Sequence, residues 1–294
     1  MPSKKPRSWG TQTILLEFAG QQYFFSGLTT SQKQRLDKRF SCVISDRATR
    51  QVFTTAMECG HIPSEDPRKY SVNDFYTPQS RYRADGLDLE GYGFRATIDL
   101  SPAAECQLLT GDEHQAVTPI IFENYLRVLA AYAALMQGGV FLHSAGIVFG
   151  GKAYLFLGRS GAGKSTLSRL ALDSGCTILS DDANIVLALD NGGFQAGPVP
   201  FAGELGQVNT HFDTICPVAG IYWLEQSREA SVSQIKPSLQ TARILSCCPV
   251  VNIDPFRLPQ MLNNVHSLQQ AVPLQVLHFR RDQPFSVIRH LLEN

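Results

Sequence analysis

The stretch Gly158-Arg-Ser-Gly-Ala-Gly163-Lys164-Ser165 constrains this chain more than any other feature. It fits the pattern G-x-x-x-x-G-K-[ST] at every position. Its glycines let the main chain curl so that successive N–H groups point inward at phosphate oxygens. The helix that opens at the loop adds its positive end. Lys164 offers a full charge to the outer phosphates, and Ser165 offers a hydroxyl to Mg²⁺. With Arg159, Ser160, Gly161, Ala162 and Thr166 they make up the predicted nucleotide-phosphate site. Lys152 to Leu157 reads as a strand entering the loop. Ser165 to Asp173, with Leu167, Leu170 and Leu172, reads as a helix leaving it and ending at Gly175. Strand, loop and helix in this order belong to an α/β sheet that binds ligands at the carboxyl ends of its strands.

After Gly175, Cys176-Thr-Ile-Leu-Ser180 reads as a short apolar strand that ends in Asp181-Asp182. A strand–helix–strand crossover returns parallel and right-handed. If its two strands are neighbours, their ends lie about 5 Å apart, and the carboxylates stand beside the phosphates. Successive residues of a strand face opposite ways, so the two need not share one job. One could hold Mg²⁺ and the other could take a proton from an attacking hydroxyl.

The 294 residues suit one large domain or two modest ones, and 44 % hydrophobic content is ample for a core. Lys plus Arg is 26 and Asp plus Glu is 26. That balance lacks the basic excess of a general nucleic-acid binder, so any substrate is captured by a local site. Seven scattered cysteines form no C-x-x-C pair, which disfavours metal knuckles and a disulfide framework and suits a reducing cytoplasm. Cys247-Cys248 reads as a core-lining pair. His61, His114, His211, His266, His278 and His290 show no metal-ligand spacing. No apolar run is long enough for a membrane helix, and no secretory signal follows the basic N-terminus.

Residues 1–10 read as a frayed polar end. Thr13 to Phe18 and Tyr23 to Phe25 read as strands split by Ala19-Gly20, and Thr30 to Phe40 as a polar helix. Gly86 to Gly93 is turn-rich, and Phe94 to Leu100 alternates as a half-buried strand. Residues 1–115 are therefore expected to form a small α+β N-terminal domain, with a scaffold or docking role, and 116–294 the catalytic domain. Thr118-Pro119 starts a helix that runs to about Met136. Val140 through His143 to Phe149 reads as one strand, joined to Lys152–Leu157 by a Gly150-Gly151 hairpin. Leu274 to Phe279 is expected to be a strand and Pro284 to Leu292 a closing helix.

Leu142-His143-Ser-Ala-Gly-Ile-Val, the loop Leu155 to Thr166, and Leu179-Ser-Asp181-Asp182 together resemble the catalytic domain of the HPr kinase/phosphorylase family, related in fold to ATP-dependent phosphoenolpyruvate carboxykinase. The core of the likeness covers about 40 residues; a looser one runs from about 138 to 294. The resemblance implies an α/β fold with a P-loop kinase core, a mixed sheet and flanking helices. It implies that His143 is an active-site histidine, that Asp181 is the general base, and that Asp182 is its metal-side neighbour. Within Pro200-Phe-Ala-Gly203-Glu204, it implies that Glu204 reaches the metal. Arg243, with Arg280 and Arg281 as alternatives, is the implied partner of the transferring phosphoryl group. The N-terminal part lacks the family's usual regulatory domain, and the signature of phosphorolysis is absent after Glu204.

The expected activity is an ATP- and Mg²⁺-dependent kinase acting on a hydroxyl, with a serine of a protein or peptide as acceptor. A small-molecule kinase or carboxykinase-like enzyme, and a non-catalytic ATP-binding regulator or assembly factor, are the competing expectations. The chain is expected to be cytoplasmic, with a homo-oligomer as an option, and to bind neither nucleic acid nor membrane.

Overall fold

The computed structural model describes residues 7–48, 52–60, 62, 78–91, 93–101, 105–111, 118–201, 203–206 and 215–293. The chain divides into two compact units, Met1–Leu129 and Ala130–Asn294. The boundary expected at 115/116 lies outside the described residues, as do His61, His114 and His211. The observed division falls inside the long helix that starts at Thr118.

In the first unit the order is β1 (Arg7–Ser8), β2 (Gln12–Phe18), β3 (Gln21–Leu28), α1 (Thr30–Arg39), β4 (Val52–Cys59), β5 (Gln79–Tyr82), β6 (Gly86–Gly91), β7 (Phe94–Asp99), β8 (Glu105–Thr110) and the start of α2 (Thr118–Met136). The strands form one sheet in the order β2-β3-β4-β8-β7-β6-β5, with β1 on β4. Arg7-Ser8 therefore pairs with Glu58 and Cys59 where a frayed end was expected. The β2–β3 turn needs positive φ at Ala19 and Gly20, and both have it. A capping box starts α1: Thr29 Oγ1 accepts from the Gln32 N–H at 3.1 Å, and Gln32 Oε1 accepts from the Thr29 N–H at 2.8 Å. Its Leu36 and the following Phe40 are fully buried, and Phe40 packs on Phe122 of α2 with ring centres 5.4 Å apart. The stretch from Gly86 is strand rather than turn up to Gly91. Its buried Leu87 and Leu89 alternate with Asp88 and Glu90, and that period outweighs the glycines at its ends.

The second unit continues with β9 (Val140–Leu142), β10 (Ala145–Phe149), β11 (Lys152–Leu157), α3 (Lys164–Asp173), β12 (Thr177–Ser180), β13 (Asn184–Ala188), β14 (Phe194–Gly197), β15 (Cys216–Gln226), β16 (Ser231–Gln234), α4 (Pro237–Ser246), α5 (Leu258–Ala271), β17 (Leu274–Phe279) and α6 (Phe285–Glu293). The sheet order is β12-β10-β11-β15-β14-β13-β9, and β17 joins the free part of β15. β11 and β17 both run parallel to β15. Leu167 and Ala171 of α3 pack with Phe285 and Ile288 of α6 against Phe156, Leu224 and Phe279.

Two expectations need correction. Residues 140–149 are two strands, not one. The chain breaks at His143-Ser144, where the His143 N–H turns to Cys247 O (2.7 Å) and the Ser144 N–H to Asp182 O (3.1 Å). The Asn184 side-chain amide satisfies Ser144 O at 2.7 Å, so the break leaves no orphaned carbonyl there. β9 then pairs with β13 while β10 pairs with β11 and β12. The second correction follows from this. β11 and β12 are not neighbours, because β10 lies between them and is antiparallel to both. They remain parallel to each other at two strand spacings, about 10 Å.

Tyr132 of α2 donates from its hydroxyl to Asp254 Oδ2 at 2.8 Å, and Asp254 is fully buried. Tyr132→Phe removes a donor from a buried carboxylate and is expected to lower unfolding free energy by about 1–3 kcal/mol. Urea denaturation of the two proteins checks this.

Candidate functional site around the glycine-rich loop

The loop joins the end of β11 to α3. Gly163 caps α3 at φ 108°, a conformation that disfavours any side chain, and a Cβ there would also lie 2.7 Å from the Phe279 ring. Arg281, just past β17, donates to Gly161 O at 2.7 Å, and Gln226 at the end of β15 donates to the same carbonyl at 3.1 Å. The ends of β15 and β17 thus hold the loop's apex.

A cavity of about 230 Å³ is lined by the loop from Ser160 to Thr166 together with His143, Asp181, Asp182, Glu204 and Arg281. Lys164 and Ser165, at the start of α3, and Asp181, just past the end of β12, meet on it. Lys164 is buried, and its Nζ donates to Gly158 O at 3.1 Å, so it rests on the root of its own loop. Burial pushes its pKa down, against the pull of Cys247, Asp182 and Glu204. Asp181 is buried. Its Oδ2 accepts from the Leu205 N–H at 3.1 Å, while its Oδ1 has no hydrogen-bond partner. Burial raises its pKa, the Leu205 N–H opposes that, and the Asp182 and Glu204 carboxylates add to the rise. Asp182 is half-buried and faces His143 Nδ1 at 3.2 Å. Adjacent residues in the bend after β12 therefore present a dry carboxylate and a wetter one.

The predicted residues His143, Ser160 to Thr166, Asp181, Asp182 and Glu204 thus share one cavity. Gly158 and Arg159 do not line it; they face a second, larger cavity. Of the three arginines only Arg281 lines the smaller cavity. Arg243 is bound to Glu225 at 2.8 Å and stacks over Trp223, and Arg280 is paired with Asp282. Ser165, Asp182 and Glu204 present hard oxygen atoms of the kind Mg²⁺ takes. Among the described residues no group of three His, Cys, Asp or Glu could hold a metal by itself. A Mg²⁺ site completed by phosphate oxygens and waters has that character.

Three contributors carried no sequence signal. Leu205 acts through its main-chain N–H, which any residue but proline supplies. Gly203 is packed so that a Cβ would collide with Asp181 Oδ1 and lie 2.9 Å from Asp182 Cβ. Cys247 is buried as expected, yet it borders the larger cavity and sits near Lys164. All seven cysteines are unbonded. Gly203→Ala is expected to push its segment off Asp181, break the Leu205 bond and cost about 1–3 kcal/mol; chemical denaturation reads the loss.

The fold and this site define a mixed α/β protein with two mixed sheets and flanking helices. The chain belongs to the family described as SynChlorMet cassette protein ScmC, whose model matches residues 106–285. A solved structure, the Hpr(Ser) kinase/phosphatase from Coxiella burnetii, is similar over 52 % of this chain and 94 % of that one, at 14 % identity and a TM-score of 0.32. No curated protein matches the chain. No helix among the described residues is long and apolar enough to cross a membrane.

Proposed function

We propose that the chain is a P-loop kinase of the HPr kinase-like type, which moves the γ-phosphoryl group of ATP to a hydroxyl, with serine of a protein or peptide as the acceptor. The observation that carries this reading is the buried Asp181 carboxylate. It has one oxygen without a partner, and it lines the same small cavity as Lys164 and the loop. A buried, unpaired oxygen costs stability unless something arrives to use it. A hydroxyl proton would do so.

In this reading the loop N–H groups and Lys164 bind the phosphates, and Lys164 exchanges Gly158 O for a phosphate oxygen. Ser165, Asp182 and Glu204 would hold Mg²⁺, which when bound neutralises charge on the outer phosphates. Asp181 accepts the acceptor's proton, and its raised pKa makes it a stronger base than an ordinary aspartate. His143 orients Asp182. Arg281, which lines the cavity, takes the place of the Arg243 favoured by sequence as the arginine that meets the transferring group. The seven free thiols suit a reducing cytoplasm.

The test is incubation of the purified chain with γ-labelled ATP and Mg²⁺ against serine-bearing peptides and proteins encoded beside it, free serine, and oxaloacetate. Label on a peptide or protein serine supports the proposal. Label on a small molecule alone moves it to the small-molecule reading. Tight ATP binding with no labelled product under any condition overturns it in favour of a non-catalytic regulator.

A further inference from the structure

The bend that carries Asp181 and Asp182 is held from two sides by residues that line neither cavity. On one side stands Ser180, the buried last residue of β12. Its Oγ accepts from the Asp182 N–H and from the Ala183 N–H, each at 3.2 Å. On the other side the Ser144 N–H donates to Asp182 O at 3.1 Å. Ser144 is braced in turn by the Asn184 amide, at 2.7 Å to its carbonyl and 3.0 Å to its hydroxyl. Asn184 fits there because Gly146, the cross-strand partner of Ser180, has no side chain; a Cβ on it would lie 2.4 Å from Asn184 Oδ1.

We propose that Ser180 is a positioning residue for Asp181: its hydroxyl fixes the turn that aims the Asp181 carboxylate into the smaller cavity. The inference rests on the transfer reading above, in which Asp181 takes the acceptor's proton. The need for a lock follows from charge. Asp181, Asp182 and Glu204 face one cavity, and like charges push one another apart. Their arrangement does not maintain itself. Asp182 has its own holders, the Ser144 N–H on its main chain and His143 Nδ1 at 3.2 Å on its carboxylate. Asp181 is held more lightly. The Leu205 N–H takes one of its carboxylate oxygens, and the other has no hydrogen-bond partner. Its aim therefore depends on the main chain to either side. Upstream that chain is β12, paired with β10. Downstream it is the two bonds to Ser180 Oγ.

A hydroxyl is the group this place needs. Where a strand ends, main-chain N–H groups lose their ladder partners, and a serine or threonine oxygen two or three residues back can take them. Ala183 is buried, so its N–H has no ready substitute in bulk water once the hydroxyl is gone. The bend then reopens to satisfy it, and Asp181 swings with the chain. A displacement of about 1 Å at a reacting group costs on the order of 100-fold in rate. The phosphate cradle should not feel the change, because β10 lies between β12 and the loop strand β11.

The experiment compares Ser180→Ala and Ser180→Thr with wild type in the full chain. Alanine removes one buried oxygen and adds no volume, so the variant should fold. Turnover is read with γ-labelled ATP and Mg²⁺ on the serine-bearing peptide or protein that wild type labels, and Mg·ATP affinity by titration calorimetry. Ser180→Ala is expected to lower kcat about 10–100-fold and to leave the Kd for Mg·ATP within about twofold. Ser180→Thr keeps the hydroxyl and should hold kcat within about threefold of wild type. In an Asp181→Asn background Ser180→Ala should cost less than about threefold more, since no base is left to misplace. A serine that only supports the fold would instead lower Tm and cost the same in both backgrounds. Wild-type kcat in Ser180→Ala overturns the proposal. So does a loss that Ser180→Thr matches, or one undiminished beside Asp181→Asn. Failure of the underlying reading looks different: wild type then labels no acceptor, or Asp181→Asn turns over fully, and the lock falls with it.

Discussion

Under the proposed transfer, Asp181→Asn is expected to lower turnover by about 10²–10⁴-fold while leaving nucleotide affinity within a few-fold of wild type. The two side chains have the same shape. Asparagine can keep its oxygen on the Leu205 N–H and still fit against Gly203, where there is no room for an added atom. What it loses is the ability to take a proton. The pH dependence follows from the raised pKa of Asp181, caused first by its burial. The base works only when ionised, so the acid limb of kcat/KM, which reports the free enzyme, should fall at a pH above the ordinary carboxylate range, and the Asn variant should lack that limb. The same shift acts on stability. A carboxyl whose folded pKa exceeds its unfolded value of about 3.9 favours the folded state when protonated. That contribution is present at low pH and is lost as pH rises through the folded value. At neutral pH the ionised, half-satisfied Asp181 is therefore a burden, and Asp181→Asn should melt no lower than wild type while losing activity. A large fall in Tm, or full turnover, would remove Asp181 from the role of base.

The loop and its flanking elements are legible in the sequence because each rests on local rules: a glycine at φ 108° before α3, a short unbroken apolar run in β11, and leucines at helical spacing after it. The Gly150-Gly151 hairpin is legible for the same reason, with φ of 57° and 71°. Sheet order is not local. Nothing in residues 140–149 announces that Ser144 hands its N–H to Asp182 O, yet that bond splits the strand and lets β10 slip between β11 and β12. The Asp-Asp pair nonetheless reaches the loop's cavity, because β12 still ends at the same edge of the sheet. Among the arginines, position in sequence favoured Arg243. Pairing decides otherwise, since Glu225 and Trp223 occupy Arg243 and leave Arg281 on the loop carbonyl. Contacts made by main-chain atoms, such as Leu205 N–H, have no residue signature at all.

Lys164→Met is expected to separate two effects that are joined in the wild-type protein. In the ligand-free chain Lys164 is buried on Gly158 O with its pKa pushed down, first by that burial. A lysine whose folded pKa lies below its unfolded value of about 10.4 stabilises the fold only at pH above that value. The contribution is lost as pH falls through the folded pKa. At neutral pH the charged lysine in an empty site is thus a cost, and Lys164→Met, a chain of similar length without the charge, should melt at or above the wild-type temperature. A bound polyanion reverses the order. A charge-assisted bond of this kind contributes about 1.5–3 kcal/mol, so the methionine variant should bind Mg·ATP and tripolyphosphate some ~10–150-fold more weakly. At a ligand concentration a hundred times the wild-type Kd, wild type gains about 2.7 kcal/mol, a Tm rise of roughly 5–10 °C, and the variant gains only about 0.3–1.4 kcal/mol. Differential scanning fluorimetry with and without tripolyphosphate reads both halves. If the ligand raises the Tm of both proteins equally, the phosphate site does not depend on Lys164, and the loop's resemblance to a phosphate cradle is one of shape alone.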